Sequence, residues 1–332
     1  MLEHGGGLLR AAAEYGIPAG DWLDLSTGVN PNGWPVPPLS ADSWLRLPQN
    51  HDGLEAAAAE YYGSDKLLAV AGSQPAIQLL PRLRAPCRVG MLALCYAEHP
   101  HHWQKHGHQL LRLSPDELAA GIDQLDVVLL CNPNNPTGDR FDAALLENWR
   151  QRLAARGGWL VVDEAFLDAA PQDSMLPHVG KPGLIVLRSI GKFFGLAGAR
   201  AGFVFAWPEL LQALAEELGP WTVAGPAREA VKLALRDVEW QRAMASKLQR
   251  DSARLQRCLE RHGLPPAGGC ELFQWVPGAN SLPLHRYLAG RGILTRHFEA
   301  IPSLRFGLPK ADADWVRLEQ ALGDWRRHAV RD

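Results

Sequence analysis

A single lysine stands in the stretch RSIGKFFGLAGARAGF (188–203), among small and aromatic residues just after the apolar run LIVL. An ammonium at the mouth of a buried strand is costly unless it is paired, neutralised or used covalently. A partly desolvated amine such as Lys192 is suited to condense with an aldehyde as a Schiff base. Other side chains offer complementary chemistry. Ser73 and Gln74 follow Gly72 into what reads as a helix N-terminus, whose N–H groups suit a phosphate. Ser189 and Arg200 add a hydroxyl and a fixed guanidinium for the same anion. Asp163 is a carboxylate suited to a cationic ring nitrogen, and Asn135 a donor suited to a phenolate oxygen.

Near-continuous apolar runs must position these groups. LLAVAG (67–72), CRVGMLAL (87–94), VVLLCNP (127–133), WLVVDEAF (159–166), GLIVLRS (183–189) and GFVFAW (202–207) read as buried strands. Helical patterns lie among them at LEAAAAEYYG (54–63), PAIQLLPRL (75–83) and FDAALLENWRQRLAARG (141–157). This alternation predicts an α/β fold with a mostly parallel central sheet covered by helices. In such sheets ligands gather at the carboxyl ends of the strands, which is where these groups fall. After Pro208 the texture changes to a long charged helical stretch (227–263) and short strand-like pieces at CELFQWV (270–276) and SLRFGL (303–308). The expected organisation is an N-terminal arm (1–40) joining the small domain, a large cofactor-binding domain (41–218) and a small C-terminal α+β domain (219–332). A cleft between domains is the expected place for the chemistry. A Schiff-base lysine, an acidic partner for a pyridinium and a phosphate cup are together the needs of pyridoxal 5′-phosphate.

The 332 residues suffice for one large domain and a smaller one. A net charge of −2 without a basic stripe argues against nucleic acid or an anionic membrane as main partner. No run approaches the roughly 18 apolar residues of a spanning helix. The N-terminal MLEHGGGLLRAAAEYG lacks the apolar core of a secretory signal. The five cysteines form no C-x-x-C pair and read as reduced thiols. The expectation is a soluble cytoplasmic protein.

Four motifs carry a family resemblance: NNPTG (134–138), VVDEAF (161–166), the S-x-x-K of Ser189–Lys192 continuing as GKFFGLAGARAGF (191–203), and the late arginine of SLRFG (303–307). In order and separation they resemble the fold-type I pyridoxal-phosphate enzymes of the aminotransferase class I/II superfamily, over nearly the whole chain. The resemblance implies a pyridoxal phosphate held covalently by Lys192, with Asp163 on its ring nitrogen and Asn135 on its phenolate oxygen. Tyr96, in LCYAEHPHHW, is implied to lie against the ring face, and a homodimer is implied. Phe166 is a departure: many relatives have a tyrosine there whose hydroxyl also contacts the phenolate oxygen. That leaves Asn135 with less help.

Within the superfamily, EHGGG (3–7) followed by DLSTGVNPNGWP (24–35) resembles the threonine-phosphate decarboxylases of cobalamin biosynthesis. These begin with H-G-G and carry D-x-S-x-x-x-N-P. Histidinol-phosphate aminotransferases, the alternative, usually lack the H-G-G start and carry N-E-N-P. The implied reaction converts O-phospho-L-threonine into (R)-1-amino-2-propanol phosphate and carbon dioxide. A decarboxylase must hold the C–COO⁻ bond perpendicular to the conjugated plane, whereas a transaminase aligns C–H. By resemblance, Arg296 and Arg305 hold the substrate carboxylate, while His4, Thr27 and Asn30 line the side receiving the phosphate. Lys192 then protonates the carbon that lost carbon dioxide. A binding module that kept only the fold is a third reading, against which the retained cofactor-contacting residues weigh.

Two other patterns carry no expectation of function. The run HPHHWQKHGH (99–108) puts His102 and His106 about one turn apart, but no carboxylate or cysteine at matching spacing, so no metal site is expected. GLAGARAG lacks the G-x-G-x-x-G spacing of a dinucleotide fingerprint.

Overall fold

The computed structural model describes residues 4–329. Its strands, in chain order, are β1 (Leu23–Asp24), β2 (Leu67–Val70), β3 (Arg88–Leu92), β4 (Gln109–Leu113), β5 (Val127–Cys131) and β6 (Trp159–Asp163). There follow β7 (Leu184–Ser189), β8 (Gly202–Phe205), β9 (Gly268–Cys270), β10 (Phe273–Pro277), β11 (Ile293–Leu294), β12 (Arg296–Phe298) and β13 (Ser303–Gly307). The chain divides into two compact units. One comprises residues through Asn32, Pro136–Asp139 and the chain from Ala245; the other comprises Gly33–Asn135 and Arg140–Met244.

The larger unit is built on a seven-stranded sheet in the order β2-β8-β7-β6-β5-β3-β4. β8 runs antiparallel to both its neighbours, and every other pairing is parallel. Every residue of β5, β6, β7 and β8 is buried, which is why these strands read as continuous apolar runs: both faces are covered. The edge strand β4 was missed by the sequence reading. Its QLLRL carries polar residues at exposed positions, and an edge strand needs no unbroken apolar run. Helix Ala143–Ala154 starts where Asp142 accepts the Leu145 N–H at 2.8 Å, inside the expected 141–157.

The stretch expected as one helix over 227–263 is two, Gly225–Arg236 and Val238–Arg261. Asp237 separates them: its carboxylate accepts the Trp240 N–H at 3.0 Å and the Trp34 indole N–H at 2.9 Å. A short acidic side chain that bonds nearby backbone favours a break over continuation. The first of the two helices packs on helix Leu54–Tyr62, near which Arg228 meets Asp52 at 2.8 Å and Glu55 at 2.7 Å. Those contacts put residues 219–244 in the larger unit, so the contact boundary falls after Met244 and not at the expected 218/219.

The smaller unit holds an antiparallel sheet in the order β12-β13-β10-β9 and a parallel pair, β1 with β11. All five residues of β13 are buried.

Candidate active site

In the larger unit the carboxyl ends of β5, β6 and β7 stand in parallel register, Cys131 opposite Asp163 and Asp163 opposite Leu187. Because β8 is reversed, its first residue, Gly202, lies opposite both Ser189 and Val70. One edge of the sheet therefore gathers Ser73, Asn135, Asp163, Ser189, Lys192 and Arg200 from five separate stretches of chain.

Glycines open a corner at one end of this line. Gly72 has φ +74, and a Cβ there would also lie 2.6 Å from Arg200 Nη2. A Cβ at Gly202 would lie 3.2 Å from the Ser73 backbone nitrogen and 2.6 Å from the Arg188 carbonyl oxygen. Without those side chains, the guanidinium and the Ser73 amide can crowd together. Ser189 is 8% exposed, and its hydroxyl accepts the Gly191 N–H at 3.3 Å. The Gln74 carboxamide is committed elsewhere. It donates to Glu98 Oε2 at 2.5 Å, the same oxygen that meets His102 Nε2 at 3.1 Å.

Asp163, at the end of β6 between β7, which ends at Ser189, and β5, which leads to Asn135, is 5% exposed. Its Oδ1 accepts the Ala165 N–H at 3.1 Å, and its Oδ2 meets His99 Nε2 at 3.0 Å. A buried carboxylate needs hydrogen-bond partners, and His99, itself buried in helix Glu98–Lys105, is one. The sequence reading missed His99 because it tested the histidine run only for pairs one turn apart. The available signal was Y-x-x-H: the His99 N–H donates to the Tyr96 carbonyl at 3.2 Å, and the two rings meet edge to face with centroids 5.9 Å apart.

Cys131 Sγ lies within 4.8 Å of the His99 and Asp163 donor atoms. Burial pushes the Cys131 thiol well up, although the backbone N–H groups of Tyr96 and Asn135 hydrogen-bond its sulfur. Burial, then the carboxylates of Glu98 and Asp163, push the Tyr96 phenol up as well, so Tyr96 offers a neutral ring.

Lys192 is half-buried, its Nζ 5.2 Å from the centre of the Phe166 ring. The next two residues hold it in place. Phe193 and Phe194 are fully buried, and both rings pack on Trp240 with centroids 5.5 and 5.6 Å apart. The Gly195 N–H closes a turn on the Lys192 carbonyl at 3.1 Å, and the Phe194 carbonyl accepts the Trp34 N–H at 2.8 Å. The turn bearing Asn135 is held likewise. Asn132 exchanges two hydrogen bonds with the Phe141 backbone at 2.9 and 3.0 Å, and Asn134 donates to the Leu94 carbonyl at 2.9 Å.

In the smaller unit, Arg296 and Arg305 stand directly opposite each other across β12 and β13. Each guanidinium carbon also lies 5.2 Å from an aromatic ring centre, Phe298 for Arg296 and Phe273 for Arg305. Arg305 is 6% exposed and donates Nη2 to the Ser26 carbonyl at 2.7 Å. Thr27 is half-buried, and its carbonyl would touch any Cβ at Gly307 at 2.4 Å. Asn30 is buried, its side-chain oxygen accepting the Asn32 N–H at 2.9 Å, and His4 is exposed.

The aminotransferase class I and II family model matches residues 39–322. The chain is 55% identical to the threonine-phosphate decarboxylase of Pseudomonas aeruginosa, over 97% of each chain. It is 41% identical to the threonine-phosphate decarboxylase of a Sinorhizobium species, again over 97% of each. A solved structure of histidinol-phosphate aminotransferase from Sinorhizobium meliloti, in complex with pyridoxal-5′-phosphate, superposes with a TM-score of 0.84 at 23% identity, covering 97% of this chain and 95% of that one. Sheet order, family model and near full-length relatives agree: the chain belongs to the aminotransferase class I and II family.

Proposed function

We propose that this protein is a pyridoxal-phosphate-dependent decarboxylase of O-phospho-L-threonine, yielding (R)-1-amino-2-propanol phosphate and carbon dioxide for cobalamin biosynthesis. The observation that carries the reading is the 55% identity, over 97% of both chains, to a protein named for that activity.

The residues present fit the cofactor. The corner of Ser73, Ser189 and Arg200, opened by Gly72 and Gly202, suits its phosphate. Asp163, backed by His99, suits its ring nitrogen, Asn135 its phenolate oxygen, Tyr96 its ring face and Lys192 its aldehyde. When bound, pyridoxal phosphate supplies an electron sink conjugated to the substrate α-carbon. The chain's own groups then decide which bond breaks. Arg305 and Arg296 would hold the substrate carboxylate and so fix the orientation of the bonds at its α-carbon. His4, Thr27 and Asn30 serve the phosphate end. Lys192 Nζ delivers the proton to the α-carbon after carbon dioxide departs.

The same reading takes the protein as a cytoplasmic homodimer. None of the five cysteines is in a disulfide, as suits a reducing compartment. No helix among the described residues is long and apolar enough to cross a membrane.

Purified, cofactor-loaded protein given O-phospho-L-threonine is expected to release carbon dioxide with no keto-acid acceptor. A requirement for 2-oxoglutarate, with a keto acid as product, would overturn the reading in favour of an aminotransferase.

A further inference from the structure

The N-terminal glycines have no side-chain chemistry, yet they lie against a serine whose polar groups are all engaged. Ser26 is 3% exposed. Its backbone N–H and its hydroxyl both donate to Asp24 Oδ1, at 2.8 and 2.6 Å. The hydroxyl oxygen accepts the Gly6 N–H at 2.8 Å, and the carbonyl accepts Arg305 Nη2 at 2.7 Å. Gly5 passes so close over that carbonyl that a Cβ would come within 2.3 Å of its oxygen, and Gly6 sits at φ +82. Strand pairing fixes the base: β1, which ends at Asp24, pairs with β11, and the Leu25 carbonyl accepts the Gly307 N–H from β13 at 2.8 Å.

We propose that Ser26, braced by Asp24, is a positioning residue that locks the His4–Gly6 segment and the Arg305 guanidinium into one piece. This rests on reading the protein as an enzyme of a phosphorylated amino acid. A guanidinium is a planar fork, and tying one N–H to a buried carbonyl fixes the plane in which it meets a carboxylate. The Gly6 N–H, tied to the same residue, fixes the backbone beside His4. Substrate length sets the separation between its two anionic ends, so groups that bind both ends must not drift apart. On this account Gly5 is a glycine because only a bare backbone passes so close to the Ser26 carbonyl, and Gly6 because its φ of +82 disfavours a side chain.

The test compares cofactor-loaded Ser26→Ala, Gly5→Ala and Asp24→Asn, the last keeping an acceptor oxygen. Ser26→Ala, which loses the hydroxyl's bonds to Asp24 and Gly6, and Gly5→Ala, whose Cβ would press on the Ser26 carbonyl, are expected to raise KM for O-phospho-L-threonine about tenfold and lower kcat several-fold. The visible band of the bound cofactor stays as in the wild type, and hydrogen exchange at the amides of residues 4–7 accelerates. Asp24→Asn stays within about threefold of wild type. Wild-type KM and kcat in both disruptive variants, even with a lowered melting temperature, overturns the proposal. Should the wild type require 2-oxoglutarate, the decarboxylase reading fails separately. The KM and exchange comparison, run with the phosphorylated amino donor, still decides the role of Ser26.

Discussion

At Lys192 the amine faces an aromatic ring, Phe166, where a tyrosine hydroxyl would be a more polar neighbour. Lys192→Ala is expected to cost at least about 10²–10⁴ in turnover. Borohydride reduction followed by denaturation then leaves no cofactor mass on the chain, which mass spectrometry checks. His99 acts one step further back. Without it the buried Asp163 loses the partner on Oδ2, so His99→Phe is expected to weaken cofactor binding and kcat about 10–100-fold, the range of a charge-assisted hydrogen bond. Visible titration of cofactor affinity checks this, and an unchanged affinity and rate would remove His99 from the account. Arg305→Ala should raise KM and also lower kcat, because a misoriented carboxylate loses alignment as well as affinity. An unchanged kcat would argue against the carboxylate assignment.

The ends of β6 and β7 are clamped by a buried charge cluster one residue away from Asp163 and Ser189. Arg188 meets Glu164 at 2.8 Å and Asp168 at 3.1 Å, and Ser174 and the Met175 N–H complete the Glu164 carboxylate at 2.7 and 2.6 Å. The role of Glu164 is to hold two strands together. Arg188→Leu would strand two buried carboxylates and is expected to cost about 3–5 kcal/mol, measured by urea unfolding. One cation faces two acids, and burial pushes the Asp168 carboxyl up to about 6. Between its usual range near 3.8 and about 6 the folded protein holds a proton that the unfolded chain has released. This group therefore makes stability fall as pH rises through that window and level off above it. Asp168→Asn should flatten that slope, and urea unfolding at intervals from pH 4 to 7 checks it.

For the whole molecule, a net charge of −2 leaves little long-range repulsion between copies. Trp44 and Leu45 are 71% and 80% exposed, with Leu47 and Trp221 also well exposed, large apolar side chains that contact with a second copy could cover. Sedimentation is expected to give about twice the 36.4 kDa chain mass, in line with the proposed homodimer. A monomer at micromolar concentration would contradict it.

Strands buried on both faces need unbroken apolar runs, so β5, β6, β7 and β8 were legible in the sequence, as were the polar residues that follow them. The α/β class came from that local pattern. The partners of those residues did not. His99 with Asp163, Gln74 with Glu98 and Ser26 with Arg305 are pairings between distant elements, the last spanning 279 positions. Periodicity records which face of an element is buried, not what it is buried against. Only the folded chain, by bringing one donor within 3 Å of one acceptor, decides which of many compatible partners a buried polar group takes.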